Sequence, residues 1–199
     1  MALRDDIKEK ALVCIDEVYT TSEAGNASFF PVDRVLDEAA RWVVHAVPLK
    51  ALGPGTDLSV QSLEAREDGT GSLLLPEDFI RLLRFRMKGW CRPVIIPIRD
   101  TDERYAQQFN PVLRGGDCKP VVALCEDDRR LEYFSSSKGA GATVEEARYF
   151  GFTEVDDAYP ERLADITAWK TAELVMAVMN DIAAMQICAC KVAEILQLL

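Results

Sequence analysis

The sequence predicts an α+β protein in which N-terminal and C-terminal helices form a helical bundle, with a small antiparallel β insertion in the middle. Three observations predict this fold class. Apolar residues recur every three or four positions near both ends of the chain, as on one face of a helix. In the middle, short apolar runs alternate with polar residues, and turn sequences separate these runs. We therefore expect a single domain, 1–199, with a helical part at 1–57 and 156–199 and a β-rich insertion at 58–155.

Two amphipathic helices are predicted before the insertion. The first covers residues 3–19, where Leu3, Ile7 and Ala11 begin an apolar stripe. Residues 20–28 have the composition of a turn. The second helix begins at Pro31, a residue favoured in the first turn, and ends before Pro48. Its predicted apolar face is Val32, Val35, Leu36, Ala39, Val43 and Val47.

The middle of the chain predicts short strands joined by short connections, and hence an antiparallel sheet. A helical turn is expected from Pro76 to Leu82, and from Leu83 the sequence alternates, with Phe85 and Met87 on one face. The other predicted elements are strands at 58–66 and 72–75, an edge or extended segment at 93–98, a short helix at 102–109, a hairpin of 121–124 with 131–134, and a last strand at 147–153.

The C-terminal forty residues are helical in pattern and unusually apolar. A single helix of this length would span about 60 Å, so a break is expected at Asn180–Asp181. These residues and Gln186 also interrupt the apolar stretch, which argues against a membrane span. A helix that is apolar on all sides has to be covered on more than one side. Either the rest of this fold or a neighbouring subunit supplies that cover.

Composition favours a soluble protein in a reducing, cytosolic compartment. The chain has 23 Lys and Arg against 33 Asp and Glu, a net charge of −10, which disfavours sequence-specific binding to DNA. The start of the chain has no apolar signal-peptide core. The cysteines lack the paired spacing of a zinc site, so we expect no metal, no cofactor and six free thiols serving mainly as small core residues. They are Cys14, Cys91, Cys118, Cys125, Cys188 and Cys190.

No catalytic constellation is evident in the sequence. A hydrolase triad would need His45, the single histidine, which we interpret as a half-buried structural residue near the end of the second helix. The adjacent carboxylates, such as Glu145–Glu146, are expected to point to different faces. The glycine pairs around Gly69 and Gly139 lack the strand–loop–helix context of a phosphate-binding loop. We therefore predict that the protein is not an enzyme and has no catalytic residues.

One charge feature stands out between Phe79 and Arg99, where six cations occur without an acid. One interpretation is the solvated face of an edge strand, where cations discourage aggregation. The other is a docking face for acidic patches on another copy or on a partner. The residues predicted as a candidate subunit interface are Arg84, Arg86, Lys88 and Arg92.

Several short motifs occur in a fixed order along the chain. The second helix ends in Val44–Pro48, and the run Leu75–Leu82 (Leu-Pro-Glu-Asp-Phe-Ile-Arg-Leu) leads into a compact β segment. Lys119-Pro120 comes before one strand, Leu131–Phe134 forms another, and an Ala-rich helix closes the pattern. This order of motifs resembles the head–tail connector (adaptor or ring) proteins of tailed bacteriophages with podovirus-like tails.

The resemblance implies a structural virion protein at the head–tail junction, assembled in the host cytoplasm. Such proteins form a ring, commonly twelve-fold, that links the portal to the tail around the DNA channel. The implied partners are other copies of the chain and the portal and tail proteins. DNA would pass without sequence-specific binding, and no membrane is involved. The alternative is a small cytosolic binding or regulatory module that uses the apolar C-terminal helices.

Overall fold

The computed structural model describes residues 2–19, 31–60, 62–136, 141–156 and 158–199, apart from the side chain of Tyr19. The predicted turn at 20–28 lies outside these residues. The chain divides into two compact units. The helical unit combines Met1–Gly53 with Phe152–Leu199, and the β unit is Pro54–Gly151.

The described residues contain five α-helices. The two N-terminal helices are confirmed, because α1 and α2 begin and end close to the predicted positions and bury the predicted faces. No helix among the described residues is both long enough and apolar enough to cross a bilayer. The helices are α1 (Leu3–Tyr19), α2 (Val32–Ala46), α3 (Glu103–Gln107), α4 (Ala164–Val178) and α5 (Ile182–Leu198).

Helix α4 is the centre of the helical unit, because α1, α2 and α5 all pack against it. Three polar residues of α4, namely Thr167, Lys170 and Thr171, are buried, and they find partners within the unit. The hydroxyls of Tyr159 and Thr167 lie 2.8 Å apart, and Thr171 Oγ1 donates to the Thr167 carbonyl at 2.7 Å. Lys170 Nζ lies 2.7 Å from Glu173 Oε1. Hydrogen bonding thus offsets the cost of burying these groups.

The break between the C-terminal helices is confirmed at Asn180–Asp181. Asn180 has φ +61°, a left-handed conformation that asparagine tolerates and that ends a helix. The side chain of Asp181 then caps α5 by accepting from the Ala184 N–H at 3.0 Å. Two local signals therefore stop one helix and start the next.

The described residues of the β unit form eight strands in two sheets. One sheet has three strands in the order β1-β8-β4, and the other has five in the order β2-β3-β7-β6-β5. All neighbouring strands are antiparallel except the parallel pair β5 and β6. The strands are β1 (Thr56–Asp57), β2 (Glu64–Ala65), β3 (Gly71–Leu74), β4 (Phe79–Met87), β5 (Ile98–Arg99), β6 (Val122–Cys125), β7 (Arg130–Tyr133) and β8 (Val144–Gly151).

The α+β class is confirmed, but the prediction of a small β insertion attached to a helical bundle is wrong. The sheets are substantial, since the β unit takes about half of the chain. The hairpin of β6 and β7 is confirmed. The helical turn expected up to Leu82 is wrong, because β4 already begins at Phe79. The strand expected at 58–66 is mostly irregular where the structure describes it, and among those residues only Glu64–Ala65 form a strand.

One apolar core lies between the two sheets of the β unit. The rings of Phe85 on β4 and Tyr133 on β7 are stacked, with centroids 6.3 Å apart. The ring of Trp90 contacts Phe85 edge-on, with centroids 5.8 Å apart. The indole N–H of Trp90 donates to the Ser135 carbonyl, so the largest buried side chain also has a polar partner. The other buried members are Leu58, Leu73, Leu82, Met87, Val122, Leu131, Ala142, Ala147 and Tyr149.

Candidate assembly surfaces

The predicted cationic strip on β4 belongs to a ladder of alternating charges. Arg84 Nε lies 3.3 Å from Glu146 on β8, and Arg86 Nε lies 3.3 Å from Glu145. Two of the four predicted interface cations therefore have acidic partners within their own β unit. This differs from the expectation that the cations of the strip face acids of another copy.

A third ion pair continues the ladder to the edge of the three-stranded sheet. Arg148 on β8 is directly opposite Arg84, and its Nε lies 3.3 Å from Asp57 on β1. Each arginine thus takes a different carboxylate, which relieves the repulsion between like charges on neighbouring strands. The ladder borders an open groove of about 480 Å³, whose charged lining includes Asp57, Arg86 and Arg148. Three cations and three acids make the ladder neutral as a whole.

The remaining cations of the strip are divided between the interior and the surface. Arg81 is half-buried, and this burial lowers the pKa of its guanidinium. Lys88 and Arg92 are exposed in the segment after β4, and neither forms an ion pair with a described residue. The strip therefore presents two unpaired cations within the described part of the chain.

The ladder is not predictable from β4 alone, because its acids and its third arginine lie on β8 and β1. The signal was present, since Glu145, Glu146 and Arg148 form a charged run whose order complements Arg84 and Arg86. Adjacent glutamates were expected to diverge, but the pairing of β4 with β8 contains register shifts. These irregularities interrupt simple alternation, and both glutamates meet an arginine.

Charge reversal tests whether the ladder is internal. We expect Arg84→Glu with Arg86→Glu to lower the free energy of unfolding by about 1–2 kcal/mol, because two ion pairs become repulsive contacts. Adding Glu145→Arg and Glu146→Arg should restore at least half of the loss, as measured by urea unfolding. If instead the double variant keeps its stability but loses self-association, the arginines act between subunits.

The exposed surface of α5 is the most prominent apolar feature of the helical unit. A single stripe of α5 is buried, formed by Ala184, Cys188 and Val192, which are small or medium-sized and spaced four apart. The helix carries only two charges, Lys191 and Glu194, and these lie 3.3 Å from each other. Most of the circumference of α5 is therefore uncharged and uncovered.

Two apolar flanks of α5 lie on either side of its buried stripe. Ile182 is 61% exposed and Ile187 is 49% exposed. At about 100° per residue, these side chains are roughly 140° apart around the helix. We define the first flank as Ile182, Met185 and Leu196, and the second flank as Ile187 and Leu198. The exposed Val178 and Met179, at the end of α4, extend the apolar area.

A shallow trough of about 470 Å³ lies along α1, α4 and α5. Trp169 and Ile195 contribute apolar surface, and Lys10 bridges two acids on the rim. Lys10 Nζ lies 3.2 Å from Asp6 and 2.9 Å from Asp165, and the hydrogen bond to Asp165 is the main cause of its raised pKa. An apolar floor with an acidic rim suits a segment that carries both apolar and basic side chains.

His45 is exposed on the last turn of α2, which corrects the prediction of a half-buried residue. The buried face of α2 passes through Val43 and Val44, so the next position turns towards solvent. No cluster of three or more histidine, cysteine or acidic side chains suited to a metal ion occurs among the described residues.

The cysteines divide equally between interior and surface. Cys14, Cys125 and Cys188 are buried, as expected for small core residues. Cys91, Cys118 and Cys190 are exposed, which corrects the expectation for half of the set. All six are free thiols.

The run Leu75–Leu82, which carries the family resemblance, leads into β4. Both oxygens of the Asp78 carboxylate accept from the Tyr149 hydroxyl, at 3.0 and 3.1 Å, and Phe79 stacks on the Tyr149 ring with centroids 5.7 Å apart. Gly151 is required here, because a Cβ at that position would lie 2.0 Å from the Asp78 carbonyl. The run thus fixes the start of β4 against the end of β8.

In comparisons with models of known protein families and with curated proteins, no match to this sequence is found.

Proposed function

We propose that this chain is a structural, non-enzymatic subunit of a ring. In this proposal it is a head–tail connector of the kind found in tailed bacteriophages, located in the virion at the head–tail junction. Copies of the chain would join side by side, with the portal on one side of the ring and tail proteins on the other. The proposal rests on the apolar surface of α5 together with the motif resemblance described above.

The surface of α5 carries the proposal because it provides two different flanks on one helix. A closed ring needs contacts between two unlike patches, whereas a two-fold dimer uses one patch twice. Ile182 on the first flank and Ile187 on the second flank face different directions. Contact of the first flank of one copy with the second flank of the next removes both from water.

The charge of the chain fits a ring around a DNA channel. With a net charge of −10, each copy repels phosphate over most of its surface, so DNA moves past without being held. The same charge opposes association of subunits at low salt, and added salt screens this repulsion. The attraction between subunits must therefore come from apolar contact, because exposed ion pairs contribute only about 0–1 kcal/mol each.

Electron microscopy and sedimentation of the purified full chain test the proposal. Rings of uniform diameter, which become more abundant with added salt and protein concentration, are the expected result. A compact monomer at every soluble concentration and salt would overturn it.

The second candidate is a small binding or regulatory module that uses the apolar C-terminal helices. The trough along α1, α4 and α5 favours it, because its apolar floor and acidic rim match an amphipathic basic helix. This candidate predicts a monomer that binds such a peptide in one-to-one stoichiometry. Titration of a basic amphipathic peptide, followed by tryptophan fluorescence, separates it from the ring.

A further inference from the structure

Two exposed cysteines of the β unit lie in contact with each other. The sulfur atoms of Cys91 and Cys118 are 3.3 Å apart, within reach of a thiol hydrogen bond. The two residues are 27 positions apart in the sequence, so the fold and not local spacing brings them together. The third exposed cysteine, Cys190, has no thiol partner among the described residues.

The turn after β4 holds Cys91 in place. Gly89 has φ +101°, a backbone conformation that residues with a side chain rarely adopt. The backbone N–H of Trp90 donates to the Met87 carbonyl at 3.1 Å. The side chain of Trp90 is buried in the core between the sheets. A tight turn and a large buried ring therefore fix the backbone immediately before Cys91.

A direct backbone contact holds the partner segment against this turn. The Cys91 N–H donates to the Asp117 carbonyl at 2.9 Å, one residue before Cys118. Cys118 itself lies in a turn closed by a hydrogen bond from the Lys119 N–H to the Gly116 carbonyl at 2.8 Å. The two sulfurs are thus juxtaposed by hydrogen-bonded backbone on both sides.

We propose that Cys91 and Cys118 form a dithiol site that small-molecule disulfides, such as oxidised glutathione, convert to an intramolecular disulfide. The thiolate of one cysteine of the pair attacks one sulfur of the small disulfide, forming a mixed disulfide and releasing one small thiolate. The other cysteine then loses its proton to solvent and attacks the protein sulfur of the mixed disulfide, which releases the second small thiolate. Two protein thiols are oxidised, and one small disulfide is reduced to two thiols.

A hydrogen bond joins the two thiols, and either sulfur can be its donor. This bond with Cys118 is the main cause of the raised pKa of Cys91, and the nearby Arg86 guanidinium opposes the shift only weakly. Either thiol can therefore begin the exchange, and the other thiol completes it. Closing the bond requires the sulfurs to approach from 3.3 Å to about 2.05 Å.

The other cysteines provide matched references. Burial raises the pKa of Cys14 to about 12 and that of Cys188 to about 11, which suppresses their reaction. Cys190 is exposed and forms only a mixed disulfide, since it lacks a neighbouring thiol among the described residues. The pair closes a ring within one molecule, so its second step benefits from a high effective concentration.

The test is a titration of the reduced full chain with defined ratios of oxidised to reduced glutathione. Remaining thiols are alkylated after denaturation and counted by mass spectrometry, and linked peptides are mapped. We expect the count to fall from six to four with a Cys91–Cys118 linkage. At a fixed concentration of reduced glutathione, half of the pair should be oxidised at a concentration of oxidised glutathione at least about 100-fold below that needed to modify half of the Cys190 thiols. Cys190→Ser should leave this behaviour unchanged.

Single variants make the result decisive. Cys91→Ser combined with Cys190→Ser should trap the mixed disulfide on Cys118, so that the mass of one glutathione stays on the chain. Oxidation of the wild type should raise the melting temperature by on the order of 10 °C, because the new bond restricts the unfolded chain. The proposal is overturned by linkage of any other pair, or by two free thiols at Cys91 and Cys118 under conditions that modify Cys190.

Discussion

Ile182→Glu should prevent ring formation and leave a folded chain. The side chain is 61% exposed on the first flank of α5, so the substitution disturbs little within the helical unit. In a subunit contact it removes an isoleucine from the apolar interface and places a carboxylate there. The loss should be about 3 kcal/mol or more, which weakens each contact at least about 100-fold. Ile187→Glu on the second flank should have the same effect.

Mixing the two variants shows whether the flanks contact each other. The Ile182→Glu protein retains the second flank, and the Ile187→Glu protein retains the first. One intact contact therefore remains between unlike variants, and the mixture should give heterodimers in sedimentation while each variant alone is monomeric. Homodimers of either variant alone would instead indicate a two-fold contact and would contradict the head-to-tail arrangement.

Ile96→Glu is the matched control for both substitutions. Ile96 is 79% exposed in the β unit, so the change has the same chemistry on a different surface. Rings should form as in the wild type. If this control is as damaging as the changes on α5, added charge alone limits association and α5 has no special role.

Trp90→Ala should produce the largest loss of stability among single changes in the β unit. The side chain is 1% exposed, contacts Phe85 edge-on and donates to the Ser135 carbonyl. Removing it creates a cavity in the core between the sheets, at an expected cost of about 3–5 kcal/mol. Urea unfolding followed by circular dichroism measures the change.

Trp90→Phe separates packing from hydrogen bonding at this position. The variant keeps most of the buried ring but loses the N–H that satisfies the Ser135 carbonyl. A loss of about 1–2 kcal/mol is expected, well below that of Trp90→Ala. Equal losses for both variants would show that the hydrogen bond, and not the volume of the ring, dominates.

Sequence reasoning predicted the helices well because their signals are local. The apolar face of α2 repeats within fifteen residues, and the break before α5 depends on the adjacent residues Asn180 and Asp181. Such features depend on neighbours three or four positions away. The positions of these helices therefore depend little on contacts with distant parts of the chain.

The strands and the charge ladder were less predictable because they depend on distant partners. The strand β1 has only two residues and exists because it pairs with β8, about ninety positions later in the chain. The register that brings Arg84 to Glu146 also contains bulges that no local pattern reveals. The contact of Cys91 with Cys118 is likewise set by two turns far apart in sequence. Pairing register is the missing information in each case.

The helical unit consists of one chain segment before the β unit in the sequence and one after it. This order matters during synthesis on the ribosome. Residues 54–151 are contiguous, so the sheets can form while the chain is still growing. Helices α1 and α2 pack mainly on α4, which is made more than a hundred residues later. At usual translation speeds this leaves their apolar faces waiting on the order of ten seconds. During this time chaperones can bind the exposed apolar faces of α1 and α2. These faces become covered once α4 has been synthesised.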